Sequence, residues 1–149
     1  MPATIDTPAS RVQMMTTAGQ ESGWYFRIQV PSGVARGFWQ CETVAILSVL
    51  ADKVAGPFFT AICDLLNIPT DPTTIYEAIA WSDPLAYGLG RAILLQDPLP
   101  IPPIGNPTTA YECYTRNWRP ANQEQQTSWD GFYATALALM APSGPVPVA

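Results

Sequence analysis

The stretch from Asp71 to Gln96, DPTTIYEAIAWSDPLAYGLGRAILLQ, twice sets an aspartate before a proline and follows it with apolar residues at helical spacing. That order reads as a helix start. The carboxylate can accept from a free N–H of the first turn, and proline at the first helical position gives up only a donor that has no helical partner. The pattern predicts helices over 72–81 and 84–96. Working outward, Asn106-Pro107 starts another over 107–117. Gly56-Pro57 opens one over 57–67, with Phe58, Phe59, Ile62, Leu65 and Leu66 on its apolar face and an end near Asn67 and Pro69. Helices over 8–22, 43–53 and 127–141 complete an all-α reading of about seven helices. No segment of useful length alternates as a strand does. Residues 24 to 40 lack helical period and carry Pro31, Gly33 and Gly37, so a loop or short hairpin is expected there. A proline-rich loop follows over 97–107. Residues 1–141 read as one domain and 142–149 as a proline-rich tail.

The chain has 149 residues, 48% of them hydrophobic, which suffices for one packed core. Its net charge is -5, with a single lysine, Lys53, among seven basic residues. Nucleic acid is therefore not an expected partner, because binding along phosphates needs a basic stripe. The absence of histidine decides more. It excludes a Ser/His/Asp or Cys/His nucleophilic site and a histidine metal site, and no metal or cofactor is expected. Acid–base chemistry must rest on carboxylates, tyrosines or thiols. Cys41, Cys63 and Cys113 are odd in number and lack CxxC spacing, which favours buried free thiols. Met1 to Arg11 shows no secretory pattern and no run nears the roughly 20 apolar residues of a membrane span, so a soluble protein made in a cytosol is expected.

Two stretches carry the chemistry: Gly19-Gln20-Glu21-Ser22-Gly23-Trp24, and Ser32 to Glu42 with Gly37-Phe38-Trp39-Gln40 inside it. Together they resemble the active-site region of lysozyme-like lytic transglycosylases, which carry a helix-ending Glu-Ser-Gly and then Gly-x-x-Gln about fifteen residues on. The chain is also similar to small lysozyme-like proteins of tailed bacteriophages, through Ala35-Arg36-Gly37-Phe38-Trp39-Gln40 and Asn117-Trp118-Arg119-Pro120. This resemblance spans about residues 10 to 140. It implies a lysozyme-like helical fold and cleavage of peptidoglycan glycan strands between the two amino sugars, with Glu21 as the acid. It further implies a virion-associated protein, or one made in the host cytoplasm and delivered to the periplasm and wall, for wall penetration or lysis.

The residue types suit that reaction. Cleaving a glycosidic bond needs a carboxylic acid still protonated near neutral pH, and an apolar wall raises the pKa by disfavouring the charged form. Glu21 at a helix end, near Trp24 and Trp39, has such a wall in prospect. Gly23 and Gly37 let the backbone turn and approach a sugar, with Ser22 beside the acid, and Gln40 can bond an acetamido or hydroxyl group. Trp24, Tyr25, Trp39, Tyr87 and Trp118 are available to stack on sugar rings. Glu42 is the candidate base of a hydrolase, and equally an N-terminal charge favourable to the next helix. The family's late Ala-Tyr-Asn-Ala-Gly motif has only Ala86-Tyr87-Gly88-Leu89-Gly90 as a counterpart, which makes Tyr87 the candidate to orient the acid. Arg116 and Arg119 flank Trp118, where they complement a helix end, form an ion pair, or hold a carboxylate of a peptide stem. The rival readings are a structural tail or ejection protein of a virion, bound to other virion proteins with little or no activity, and a glycan-binding module that does not cut.

Overall fold

The computed structural model describes residues 5–120 and 126–140. Among them are seven helices and no strand: α1 (Pro8–Ser22), α2 (Thr43–Ala51), α3 (Ala55–Leu65), α4 (Pro72–Ala78), α5 (Asp83–Leu95), α6 (Pro107–Trp118) and α7 (Gln126–Met140). The tail expected over 142–149 lies outside the described residues. Two of the three aspartate- or asparagine-proline starts behave as read. Asp71 accepts from the Thr74 N–H at 2.9 Å, and Asn106 from the Thr109 N–H at 3.1 Å. The third differs, because Ser82 is the capping residue of α5 and the Asp83 carboxylate instead pairs with Arg27 of the preceding loop. A second difference concerns the join of α2 and α3. Asp52 ends α2 early by accepting from the N–H groups of Val54 and Ala55 at 2.8 and 2.7 Å, so α3 starts at Ala55, ahead of Gly56-Pro57.

Helix α1 runs between two cores. Met14 and Ala18 face a cluster built from Trp39, Ile46, Phe59, Ile79, Leu85 and Leu89. Val12 faces a second, aromatic cluster of Tyr111, Tyr114, Trp129 and Tyr133 on α6 and α7. A helix buried on both sides cannot show a clean apolar stripe, and α1 carries Ser10, Gln13, Thr16 and Thr17 inside. These polar groups are satisfied locally. The Thr16 and Thr17 hydroxyls donate to the carbonyls four residues back, and the Gln13 amide donates to the Ala110 carbonyl at 3.1 Å. Gly19 lets α7 approach, since a Cβ there would sit 2.6 Å from the Phe132 ring.

The segment between α1 and α2 folds back as a narrow hairpin without extended strands. The Gln29 N–H donates to Ala35 and the Gly37 N–H to Arg27, and Arg36 then exchanges two backbone bonds with Cys41, each 2.9 Å. This second reversal places Gly37 against the end of α4, with φ +71°. A Cβ at that position would lie 2.8 Å from the Ile79 carbonyl oxygen. Gly37 is therefore required by packing. Gly37→Ala is expected to lower stability by about 3 kcal/mol, combining left-handed backbone strain with overpacking, as measured by urea unfolding. A loss within about 0.5 kcal/mol, the range of ordinary surface changes, would contradict this account of the turn.

Candidate active site

Glu21 lies in the last turn of α1, where the αL cap at Gly23 (φ 61°) stops the helix and its N–H returns to the Gly19 carbonyl at 2.8 Å. Its carboxylate is largely withdrawn from water. The Tyr114 hydroxyl, on α6, donates to Oε1 at 2.6 Å. Tyr114 is itself held as the middle ring of a stack, with Trp129 on one side at 4.9 Å between centroids and Trp118 on the other at 6.4 Å. Burial pushes the Glu21 carboxyl up to about 6, against the opposing pull of the Tyr114 bond, which favours the charged form. The last turn of a helix, with its partial negative charge, disfavours a carboxylate too. Burial and the neighbouring carboxylate push the Tyr114 phenol well above its usual range, so this hydroxyl remains a donor.

Glu21 and Tyr114 open onto a cavity of about 600 Å³ that is also lined by Gln20, Phe26, Gln40, Glu42, Trp118 and Arg119. A second cavity of about 540 Å³ continues past α2 and α5 to Ser48, Gln96, Asp97 and Arg116. Gln40, Glu42, Trp118 and Arg119 line both, so the two cavities adjoin at these four residues, which form the groove neck. Two of these four neck residues have left-handed backbones without being glycine: Gln40 at φ 48° and Arg119 at φ 48°. Each such residue costs about 1 to 2 kcal/mol, and strain of this kind concentrates where a site needs it. The Gln40 amide donates to the Gly37 carbonyl at 2.8 Å and to the Phe26 carbonyl at 3.3 Å, and among the described residues no donor meets its oxygen.

Of the eight residues singled out from sequence, the structure gathers Glu21, Gln40, Glu42 and Trp118 on the groove. Glu42 is exposed at the start of α2, and its side chain makes no capping bond. The other four lie elsewhere. Ser22 is buried and donates back to the Ala18 carbonyl at 2.8 Å, and Gly37 is buried against Ile79. Trp39 is only 5% exposed, with its indole N–H on the Met14 carbonyl at 2.8 Å, so it is core and not a sugar platform. Tyr87 packs edge-on against Trp39 at 5.6 Å, on the side where Asp6, Arg11 and Arg91 influence its phenol, and it does not reach Glu21. Trp24 also turns inward, to the Met15 carbonyl and the Phe132 ring. The aromatic side chain that meets the Glu21 carboxylate is Tyr114 of α6, while the indoles of Trp24 and Trp39 bond the α1 backbone. Tyr114, the missing partner, stands four residues before Trp118 on one helix face; that spacing from a motif residue was its one signal in the sequence.

The shift at Glu21 has a sign for stability. The folded protein holds this proton more tightly than the unfolded chain, so stability is fullest below the ordinary glutamate range and declines as pH rises through about 6. The decline amounts to about 2 kcal/mol. Glu21→Gln, which keeps an oxygen acceptor for Tyr114, is expected to gain that much relative to wild type between pH 4 and 8 in chemical unfolding; a pH-independent difference would contradict the burial. Carbon NMR of the Glu21 carboxyl is expected to give a midpoint near 6, moved upward in Tyr114→Phe by loss of the hydroxyl, whereas a midpoint near that of a free glutamate would refute it. Compared with known proteins, the chain matches no family model, no curated protein and no solved structure.

Proposed function

We propose that the chain is a peptidoglycan-cleaving enzyme of lysozyme-like fold, with Glu21 as the acid that protonates the oxygen linking two amino sugars. The observation that carries this reading is a carboxyl held up to about 6, fixed by Tyr114, and opening on a groove. A carboxyl poised there keeps its proton to higher pH than an ordinary glutamate, about one-tenth of the molecules still holding it at pH 7, and departure of a sugar alkoxide requires that proton. A second cavity adjoins that of Glu21 on the Asp97 side, which suits a ligand longer than one sugar. In the cleavage step the Glu21 proton passes to the glycosidic oxygen as the C–O bond breaks, and positive charge develops on the sugar ring. The Gln40 amide oxygen is placed to accept from an acetamido N–H or a hydroxyl of the bound sugar.

The step after bond breaking depends on Glu42. In a hydrolase Glu42 deprotonates a water that attacks the sugar carbon; in a lytic transglycosylase the substrate's own hydroxyl attacks, with Glu21 taking its proton, and leaves a 1,6-anhydro end. Exposure on the same cavity and a side chain free of capping bonds suit Glu42 to the first route. The resemblance to phage proteins supports a role in wall penetration or lysis, acting on the wall from a virion or from the host cell.

Digestion of purified sacculi with mass analysis of the fragments tests the proposal. Wild-type protein is expected to release disaccharide-peptide fragments, and Glu21→Gln to lose at least about 100-fold in rate. Ordinary reducing ends together with a slowed Glu42→Gln identify the hydrolase; anhydro ends with an unaffected Glu42→Gln identify the transglycosylase. No fragments from a folded wild-type protein would overturn the enzyme reading and favour the structural virion role.

A further inference from the structure

The groove neck holds a cation that an uncharged glycan has no use for. Arg116, three residues earlier on α6, is fully engaged: its guanidinium pairs with Asp97 at 2.7 and 2.8 Å, and Asn117 and the Leu99 N–H bond the same carboxylate at 2.7 and 3.0 Å. The Asp97 side chain is left 2% exposed by these contacts, so Arg116 already has its carboxylate. Arg119 is the opposite case. It is exposed, lines both cavities, and among the described residues has no ion-pair or hydrogen-bond partner for its side chain. Its backbone is nonetheless held firmly, with φ 48° and ψ 54° at the cap of α6 and its N–H on the Thr115 carbonyl at 3.0 Å. Trp118 before it is pinned through its indole N–H to the Trp39 carbonyl at 3.0 Å. Glycine is the residue usual at such a cap, so an arginine there is retained against the backbone preference.

We propose that Arg119 is a specificity-determining residue that pairs with a carboxylate of the peptide stem, so that the groove prefers stem-bearing over uncharged glycan. The inference rests on the peptidoglycan reading of the same groove. N-acetylglucosamine carries no charge, and in a stem-bearing strand the lactyl carboxyl of the muramic sugar is consumed in the amide to the peptide, so the carboxylates that remain belong to that peptide. A planar guanidinium on a fixed backbone matches a carboxylate with two parallel N–H bonds, where a lysine offers a point charge. Glu42 also faces this part of the groove, and its charge repels a carboxylate that is not beside Arg119. This repulsion sharpens the register of the bound strand.

The test reads binding without turnover, in a Glu21→Gln background, by calorimetry with a disaccharide-tetrapeptide and with the same disaccharide capped as its lactyl methylamide, which carries no carboxylate. The stem-bearing fragment is expected to bind about fivefold more tightly, with the difference shrinking at high salt, as a partly exposed ion pair dictates. Adding Arg119→Gln is expected to abolish the difference between the two fragments; adding Arg119→Lys should keep part of it. Equal affinity for the two fragments, binding of neither, or a preference that survives Arg119→Gln overturns the proposal. Because no bond is cut in this assay, failure to digest sacculi sinks the enzyme reading alone, and equal affinities sink the Arg119 assignment alone.

Discussion

The hydrogen bond from Tyr114 to Glu21 is the constraint around which the groove is organised. It joins the end of α1 to the middle of α6, two segments 93 residues apart, through one 2.6 Å contact. Its geometry depends on the Trp129–Tyr114–Trp118 stack, since a tyrosine fixed on both faces can aim its hydroxyl in only one direction. The bond and the burial oppose each other. Burial favours the neutral acid and the phenol favours the carboxylate, and burial is the larger effect, which leaves the group divided between its two forms near pH 6.

The hairpin between α1 and α2 depends on the same core. Trp39 drives its indole into the side of α1, and its carbonyl receives the indole of Trp118, so one residue ties the hairpin to both helices that bear the acid and its partner. Gly37, two residues earlier, lets the turn press on Ile79. With the turn so fixed, Gln40 is presented at the neck in a left-handed conformation, and Glu42 follows at the start of α2. The thiol of Cys41 lies between them on the buried side, where desolvation pushes it up to about 12, with the charges of Glu21 and Glu42 adding to the effect. It is inert at neutral pH and serves as packing.

The helices were legible because their signals are local. Asp71-Pro72 and Asn106-Pro107 announce caps that the structure contains. Asp83-Pro84 misleads on its cap because a long-range partner, Arg27, competes for the carboxylate. At the site, Glu21, Gln40, Glu42 and Trp118 could be read from their motifs, yet the roles of Trp39 and Tyr87 could not. Whether a tryptophan beside a motif faces the groove or the core is decided by which side of the turn packs on α1, and nothing in the hairpin's own residues specifies that. Tyr114 escaped notice for the same reason. Its partner is distant in sequence, and a tyrosine within a helix otherwise reads as core, which it also is.

The central claim is that one shared proton on Glu21 sets both the titration and the chemistry. The pH dependence of sacculus digestion, compared with the NMR titration of the same carboxyl in wild type and in Tyr114→Phe, tests it most directly. The rate is expected to fall as pH rises through about 6 and to follow the carboxyl midpoint upward when the phenol is removed. A rate whose falling limb stays in place while the carboxyl midpoint moves would show that Glu21 is not the acid.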